Sequence, residues 1–313
     1  MTPAILLDCD TGIDDALTVL YLAALVRAGE AELVAAGTVH GNVAPGAGAL
    51  NTLRVLERAG LAGVPVAVGA VAPMAQPAQY AHHFHGADGL GDCGLDEPAG
   101  RPAGVSAPEQ IIRLARARPG ELSLVAVGPL TNLAIALLLA PDLPGLLREV
   151  VVMGGAFDHP GNVTSHAEAN IWHDPEAAEL VLGAPWPVTL VPLDATHPTA
   201  VDGGWLDRLA AADTDVARFA SRILESYVTA YRPFLGGRGA VIHDALAAML
   251  AVDPSLAEYA ERPVRVELRG EHTRGATLWD RRATAAEPGR PPVKVAMRAD
   301  AAAFRERLLA SLL

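Results

Sequence analysis

Asp8, Asp10, Asp14 and Asp15 lie within eight residues of one another in the segment AILLDCDTGIDDAL, residues 4–17, directly after an apolar run. Carboxylates packed this closely repel one another. Helix capping accounts for one or two of them, because Asp is favoured at the cap and in the first turn. It does not account for all four. A hard cation would offset the repulsion, since Ca²⁺ and Mg²⁺ each take several carboxylate and carbonyl oxygens. Caps plus solvated charge are the structural alternative.

Five further constellations follow, each just after an apolar run or at the start of a helical one. In Val39-His40-Gly41-Asn42 the Asn42 amide could bond sugar hydroxyls, or serve only as an Asx turn. His82-His83-Phe84-His85-Gly86 concentrates three imidazoles, but no CxxC spacing accompanies them, so zinc is not indicated. Gly128-Pro129-Leu130-Thr131-Asn132 opens a helix, with Thr131 as a candidate cap. Between Met153 and Asn170 a polar run without helical or strand periodicity carries Asn162, Glu168 and Asn170, amides and a carboxylate suited to binding hydroxyl groups. His243-Asp244 opens an apolar helix, where the dipole favours a first-turn acid. Asp174-Pro175 reads as an N-cap followed by Pro at the first helical position.

The elements that must position these residues alternate to about residue 200. Expected strands are 4–8, 33–39, 64–68, 122–127, 150–153 and 188–193; expected helices are 14–27, 46–58, 108–116, 130–139 and 175–182. Apolar strands with helices between them imply a mainly parallel, Rossmann-like sheet covered on both faces, an α/β fold whose ligands bind beyond the carboxyl ends of the strands. Helices over 214–231 and 242–251 follow, then strands at 262–268, 276–279 and 292–297, and a closing helix at 301–313. Residues 97–104 read as a surface loop, and the whole of 1–313 as one domain. Trp172, Tyr227, Tyr231 and Trp279 could stack on a ligand, although scattered aromatics are more often core.

Composition narrows the partners. With 24 Lys+Arg against 36 Asp+Glu the formal charge is −12, which disfavours nucleic acid and anionic membrane surfaces. No apolar run approaches the roughly 18 residues that span a bilayer. The opening lacks the basic and apolar stretches of a secretory signal, and the only two cysteines, Cys9 and Cys93, do not form a disulfide framework. A cytoplasmic protein is expected.

Two enzyme families open on an apolar strand followed by paired aspartates. Asp8-Cys9-Asp10 resembles the Asp-x-Asp-x-Thr of the haloacid-dehalogenase phosphatases, which are Mg²⁺-dependent with the first Asp as nucleophile, but Gly12 stands where that motif has Thr. Asp8-Cys9-Asp10-Thr11-Gly12-Ile13-Asp14-Asp15 resembles the opening of the inosine-uridine preferring nucleoside hydrolases through the double Asp, and the five later constellations follow in that family's order. Two positions depart from it. Thr11 replaces the usual Pro, and Ala169 stands where relatives usually have Phe.

That resemblance implies a Ca²⁺-dependent hydrolase cleaving the N-ribosidic bond of ribonucleosides. Carried over by position, Asp10, Asp15, Asp244 and the Thr131 carbonyl hold the cation, which lowers the pKa of a bound water. Asp10 is also the general base. Asp14, Asn42, Asn162, Glu168 and Asn170 bind the ribose, with His85 in the substrate pocket. His243 is the general acid, or a member of a proton relay, toward the leaving base; a His before Asp244 resembles the branch tolerant of pyrimidines. The family further implies a homodimer or homotetramer. Alternatives are the phosphatase, in which Asp8 is essential, and a catalytically silent nucleoside- or ribose-binding protein.

Overall fold

A computed structural model describes residues 2–282 and 289–313. From the N-terminus run β1 (Ala4–Cys9), α1 (Ile13–Ala28), β2 (Glu32–Thr38), α2 (Pro45–Arg58), β3 (Val66–Val68), α3 (His82–His85), α4 (Ala107–Ala117), β4 (Leu122–Ala126) and α5 (Thr131–Leu139). Then come β5 (Glu149–Met153), α6 (Ala169–His173), α7 (Pro175–Leu182), β6 (Val188–Val191), α8 (Leu193–Thr196), β7 (Val201–Asp202), α9 (Gly203–Ala210), α10 (Asp215–Leu235) and β8 (Gly239–Ala240). The chain continues through α11 (His243–Val252), β9 (Ala257–Arg262), β10 (Arg265–Val266), β11 (Thr277–Leu278), β12 (Val293–Ala299) and α12 (Ala301–Leu312).

One sheet carries the order β3-β2-β1-β4-β5-β6-β12-β9, with every neighbouring pair parallel except β12 and β9. This is the expected α/β fold with a mainly parallel sheet. Successive strand residues feed opposite cores: Ile5, Leu7, Val125 and Val151 pack under α1, α2, α10, α11 and α12, while Leu6, Leu124, Val150 and Val152 pack under α4, α5 and α7. Both faces are therefore covered, as fully apolar strands require. The strand order reverses between β1 and β4, which leaves a crevice beyond their carboxyl ends. Among the described residues no helix is long and apolar enough to cross a membrane.

Several expected boundaries move for identifiable reasons. The strand anticipated over 188–193 stops at Val191, because Pro192 has no N–H for the ladder and Leu193 already begins α8. The strand anticipated over 262–268 is split: β9 ends at Arg262, Pro263 intervenes, and only Arg265–Val266 continues, in a separate hairpin with β11. β9 itself, AEYAER, is a half-exposed edge strand with no apolar run to announce it. Short α3, α6 and α8 span about a turn each, too little for a helical period to register. Residues 97–104 carry no helix or strand, as expected of a loop.

Candidate active site

Two helix N-termini build the acidic centre. Gly12 caps α1, so Asp14 and Asp15 fall in its first turn, and Asp15 closes a capping box by accepting from Gly12 N–H at 2.8 Å and from Asp10 N–H at 3.2 Å. α11 packs against α1 and brings Asp244, in its own first turn, to the same point. One oxygen each from Asp14, Asp15 and Asp244 lie within 4.8 Å of one another. Both helix dipoles favour negative charge there. Asp10 joins them from the end of β1: one oxygen accepts from Asn42 N–H at 2.7 Å, while the other, Oδ1, is buried without any hydrogen-bond partner.

None of these carboxylates is more than 5% exposed, so their charge is poorly solvated. Burial, reinforced by Asp15, raises Asp14 to about 8. Burial and then Asp15 also hold Asp10 well above the usual range, and burial followed by Asp14, Asp15 and Asp10 does the same to Asp244. The charges that act on these acids most strongly are one another's. The orphaned Asp10 oxygen and the converging acids fit a hard cation, which takes oxygen ligands of this kind. Relative to the anticipated ligand set, the geometry brings Asp14 into the converging trio and leaves Asp10 beside it.

Glycine makes the turn after β2 possible. Gly41 has φ +156°, and a Cβ there would run into the Asp10 carboxylate. Next to it, the Asn42 side chain, expected on sugar, donates to Asp15 Oδ2 at 3.1 Å. From α3, His85 accepts from Ile13 N–H at 3.0 Å through Nδ1, so its proton resides on Nε2. Burial, then His83, pushes its pKa to about 3 and keeps it neutral.

Opposite the acids stands a buried group of rings and hydroxyls. Both nitrogens of His243 are engaged, Nε2 by the Tyr231 hydroxyl at 2.8 Å and Nδ1 by Thr196 Oγ1 at 2.7 Å. Burial, then His197, drives the His243 pKa well below its ordinary value. Tyr227 packs on His85 with ring centroids 5.2 Å apart and on Tyr231 at 4.9 Å, and its hydroxyl helps hold the Asp14 pKa down against burial. The two tyrosines thus connect His243 to His85 and Asp14.

The polar run after β5 is a braced loop that ends in α6. Glu168 caps α6, accepting from Asn170 N–H at 2.9 Å and Ile171 N–H at 3.1 Å, and it also takes Gly155 N–H at 3.0 Å. Burial raises its pKa to about 7. Asn170 spends its side-chain N–H donors on the Val127 and Met153 carbonyls, which leaves its side-chain oxygen to act as an acceptor only. Asn162 is exposed and accepts from Ala169 N–H at 2.9 Å. Asp194 gathers the N–H groups of Phe157, Asp158 and His159, and Thr277 exchanges hydrogen bonds with both backbone groups of Ala156.

A profile of the family described as inosine-uridine preferring nucleoside hydrolase matches residues 5–306. The chain is 38% identical over 282 residues to the inosine-uridine preferring nucleoside hydrolase of Crithidia fasciculata, covering 90% of this chain and 88% of that one. It is 34% identical over 316 residues to the probable uridine nucleosidase 2 of Arabidopsis thaliana, covering 99% and 97%. A solved plant nucleoside hydrolase superposes with a TM-score of 0.95 at 32% identity, over 100% of this chain and 99% of that one. The chain belongs to the inosine-uridine preferring nucleoside hydrolase family. It is an N-glycosidase that hydrolyses ribonucleosides.

Membership in the nucleoside hydrolases agrees with where Asp8 points. The phosphatase alternative needs this carboxylate free to attack, yet Asp8 is 1% exposed, directed toward the α4 side of the sheet, and bonded to Asn132 Nδ2 at 2.8 Å. Asn132 in turn reaches the Thr38 carbonyl and Ala70 N–H, so the pair is a brace under the crevice. Thr131 is the first residue of α5 and not its cap, which is Leu130. Its hydroxyl donates to Asp174 at 2.6 Å and meets His40 Nε2 at 2.9 Å, which leaves the backbone carbonyl as what Thr131 can offer a ligand. Asp174 caps α7 as expected, accepting from Ala177 N–H at 3.1 Å. Trp279 packs on Phe157, 4.2 Å between centroids, and Trp172 lies edge-on to His173; neither ring is in contact with His243. The amino-acid sequence leaves Tyr231 open between a ligand-stacking ring and core, and gives no role to Thr196, Asp194 or Asn132. Asp194 and Thr196 lie in a one-turn helix that leaves no periodic signal, Asn132 is an amide of α5 whose partners are on other elements, and Tyr231 continues the apolar face of α10.

Proposed function

We propose that this chain hydrolyses ribonucleosides by a Ca²⁺-dependent mechanism in which water attacks the anomeric carbon, and that the orphaned Oδ1 of Asp10 within the buried carboxylate group is the observation that carries this reading. Asp10, Asp15, Asp244 and the Thr131 carbonyl would hold the cation. When bound, the ion supplies charge compensation and makes a neighbouring water more acidic. Asp14 converges on the same point and is kept for the ribose hydroxyls, with Glu168, Asn42, Asn162 and the Asn170 oxygen completing the sugar side. Binding energy gathered on the ribose is spent in favouring its cationic form in the transition state. Asp10 takes the proton from the attacking water as general base. His243 acts as a relay rather than the terminal donor, because both of its nitrogens are already bonded. Tyr231 stands between it and the leaving base, with His85 presenting Nε2–H nearby.

Relatives named for uridine and for inosine with uridine make uridine the first substrate to try. Turnover of uridine followed at early times by ¹H NMR tests the route: direct attack of water on the β-nucleoside inverts C1 and releases α-ribose first, whereas a covalent glycosyl-enzyme intermediate would release β-ribose. Saturable nucleoside binding with no ribose released would instead favour the silent binding protein. The same reading takes the chain as a cytoplasmic homodimer or homotetramer, which light scattering of the purified protein measures as to its mass.

A further inference from the structure

Thr196 is fully buried in the single turn of α8, and its backbone is locked: its N–H and that of Ala195 both bond the Pro192 carbonyl, and its own carbonyl accepts from Thr199 Oγ1 at 2.7 Å. The Thr196 hydroxyl lies 2.7 Å from His243 Nδ1, and the Pro192 carbonyl, the acceptor one turn back, already takes two backbone N–H groups. The neighbouring His197 ring meets His243 edge-on at 5.6 Å and is itself stacked on His159 at 3.9 Å, so the imidazole is hemmed in on that side as well.

A neutral imidazole has one donor and one acceptor nitrogen. Two proton arrangements satisfy its contacts with Tyr231 and Thr196. In one, Tyr231 donates to Nε2, and its proton is turned inward. In the other, Thr196 donates to Nδ1, Nε2–H donates to the Tyr231 oxygen, and the Tyr231 proton is free to point away from His243. All donors then point one way along the chain, an order in which each hydrogen bond strengthens the next.

We propose that Thr196 is a positioning residue, whose hydroxyl holds His243 as the Nε2–H tautomer and so turns the Tyr231 O–H toward the leaving base. This rests on the reading that places His243 and Tyr231 on the leaving-group side. It involves hydrogen-bond orientation only, with no net transfer from Thr196.

The test compares Thr196→Val and Thr196→Ser on uridine or inosine and on 4-nitrophenyl β-D-ribofuranoside, whose leaving group departs without a donated proton. Thr196→Val should lower kcat on the nucleoside by about 10- to 100-fold, less than the roughly 10²- to 10⁴-fold of a lost proton donor because Tyr231 itself is retained. KM should stay within about twofold, and the nitrophenyl riboside should be cleaved nearly as fast as by the unaltered enzyme. Thr196→Ser should restore the nucleoside rate. Equal losses on both substrates, or none on either, would overturn the inference while leaving the hydrolase reading intact. An unaltered enzyme that cleaves neither substrate would sink both. Should Thr196→Val fail to fold, ¹⁵N NMR of the unaltered protein decides the matter: a protonated Nε2 with a bare Nδ1 at His243 supports the inference, and the reverse tautomer refutes it.

Discussion

Asp10 keeps its place only because glycine stands against its carboxylate at Gly41. At Gly41, φ of +156° and the approach of the Asp10 carboxylate leave no room for a side chain, so Gly41→Ala should displace Asp10 and cost about 1–3 kcal/mol of stability. Ribose release should fall at least about tenfold, as displaced catalytic groups imply, and denaturant unfolding together with a turnover assay checks both effects. Asp8 gives the opposite expectation. Its carboxyl, pushed up to about 7 by burial, is 1% exposed and bonded to Asn132 on the α4 side of the sheet, so Asp8→Asn should keep nucleoside turnover within about tenfold. An essential Asp8 in steady-state assays would revive the phosphatase reading. The acidic residues were legible because four carboxylates in eight positions are more than one helix N-terminus can cap, and their mutual repulsion calls for a cation. The hydrogen bonds of Asn42 and Asn170 were not, since an amide reads alike whether its donors meet sugar, a carboxylate or main-chain carbonyls.

Turns and short helices decide how firmly the acids are held. Thr11 ties the loop after β1 to α2 through a 2.7 Å hydrogen bond between its hydroxyl and that of Thr52. Thr11→Val removes it and should cost about 1 kcal/mol, measured by the midpoint of urea unfolding. At this scale the strands of the parallel sheet were readable from their apolar runs, because burial on both faces leaves no alternation to confuse. Expectation failed where proline ended a ladder, at Pro192 and Pro263, and where an edge strand such as β9 has one wet side.

For the whole molecule, the sheet order brings β1 and β4 together with their helices diverging, and the acids, the Thr131 turn and the braced loop after β5 all open at that reversal. The α/β class was readable from the strand-helix alternation; the convergence of α11 on α1 was not, because some 230 residues separate them. A pH dependence belongs to this scale. Asp14 at about 8 and Glu168 at about 7 lie above their unfolded values, so these two carboxyls hold more protons in the folded chain than in the unfolded one from roughly pH 4 upward, while buried His85 and His243, with lowered pKa, act in the opposite sense below about pH 6.5. Without cation, stability should therefore fall as pH rises from about 6.5 to 8, where only the carboxyls titrate. Added Ca²⁺ should raise Tm by several degrees at pH 8, in keeping with about 2.7 kcal/mol at a hundredfold excess over Kd, and by less at pH 5, as differential scanning fluorimetry can read. The central claim is tested most directly by ribose release from uridine, inosine, cytidine and adenosine, with and without chelator, and with Asp10→Ala beside the unaltered protein. The account predicts release that chelator abolishes, Ca²⁺ restores and Asp10→Ala loses. Release that survives both chelation and the loss of Asp10 would contradict it.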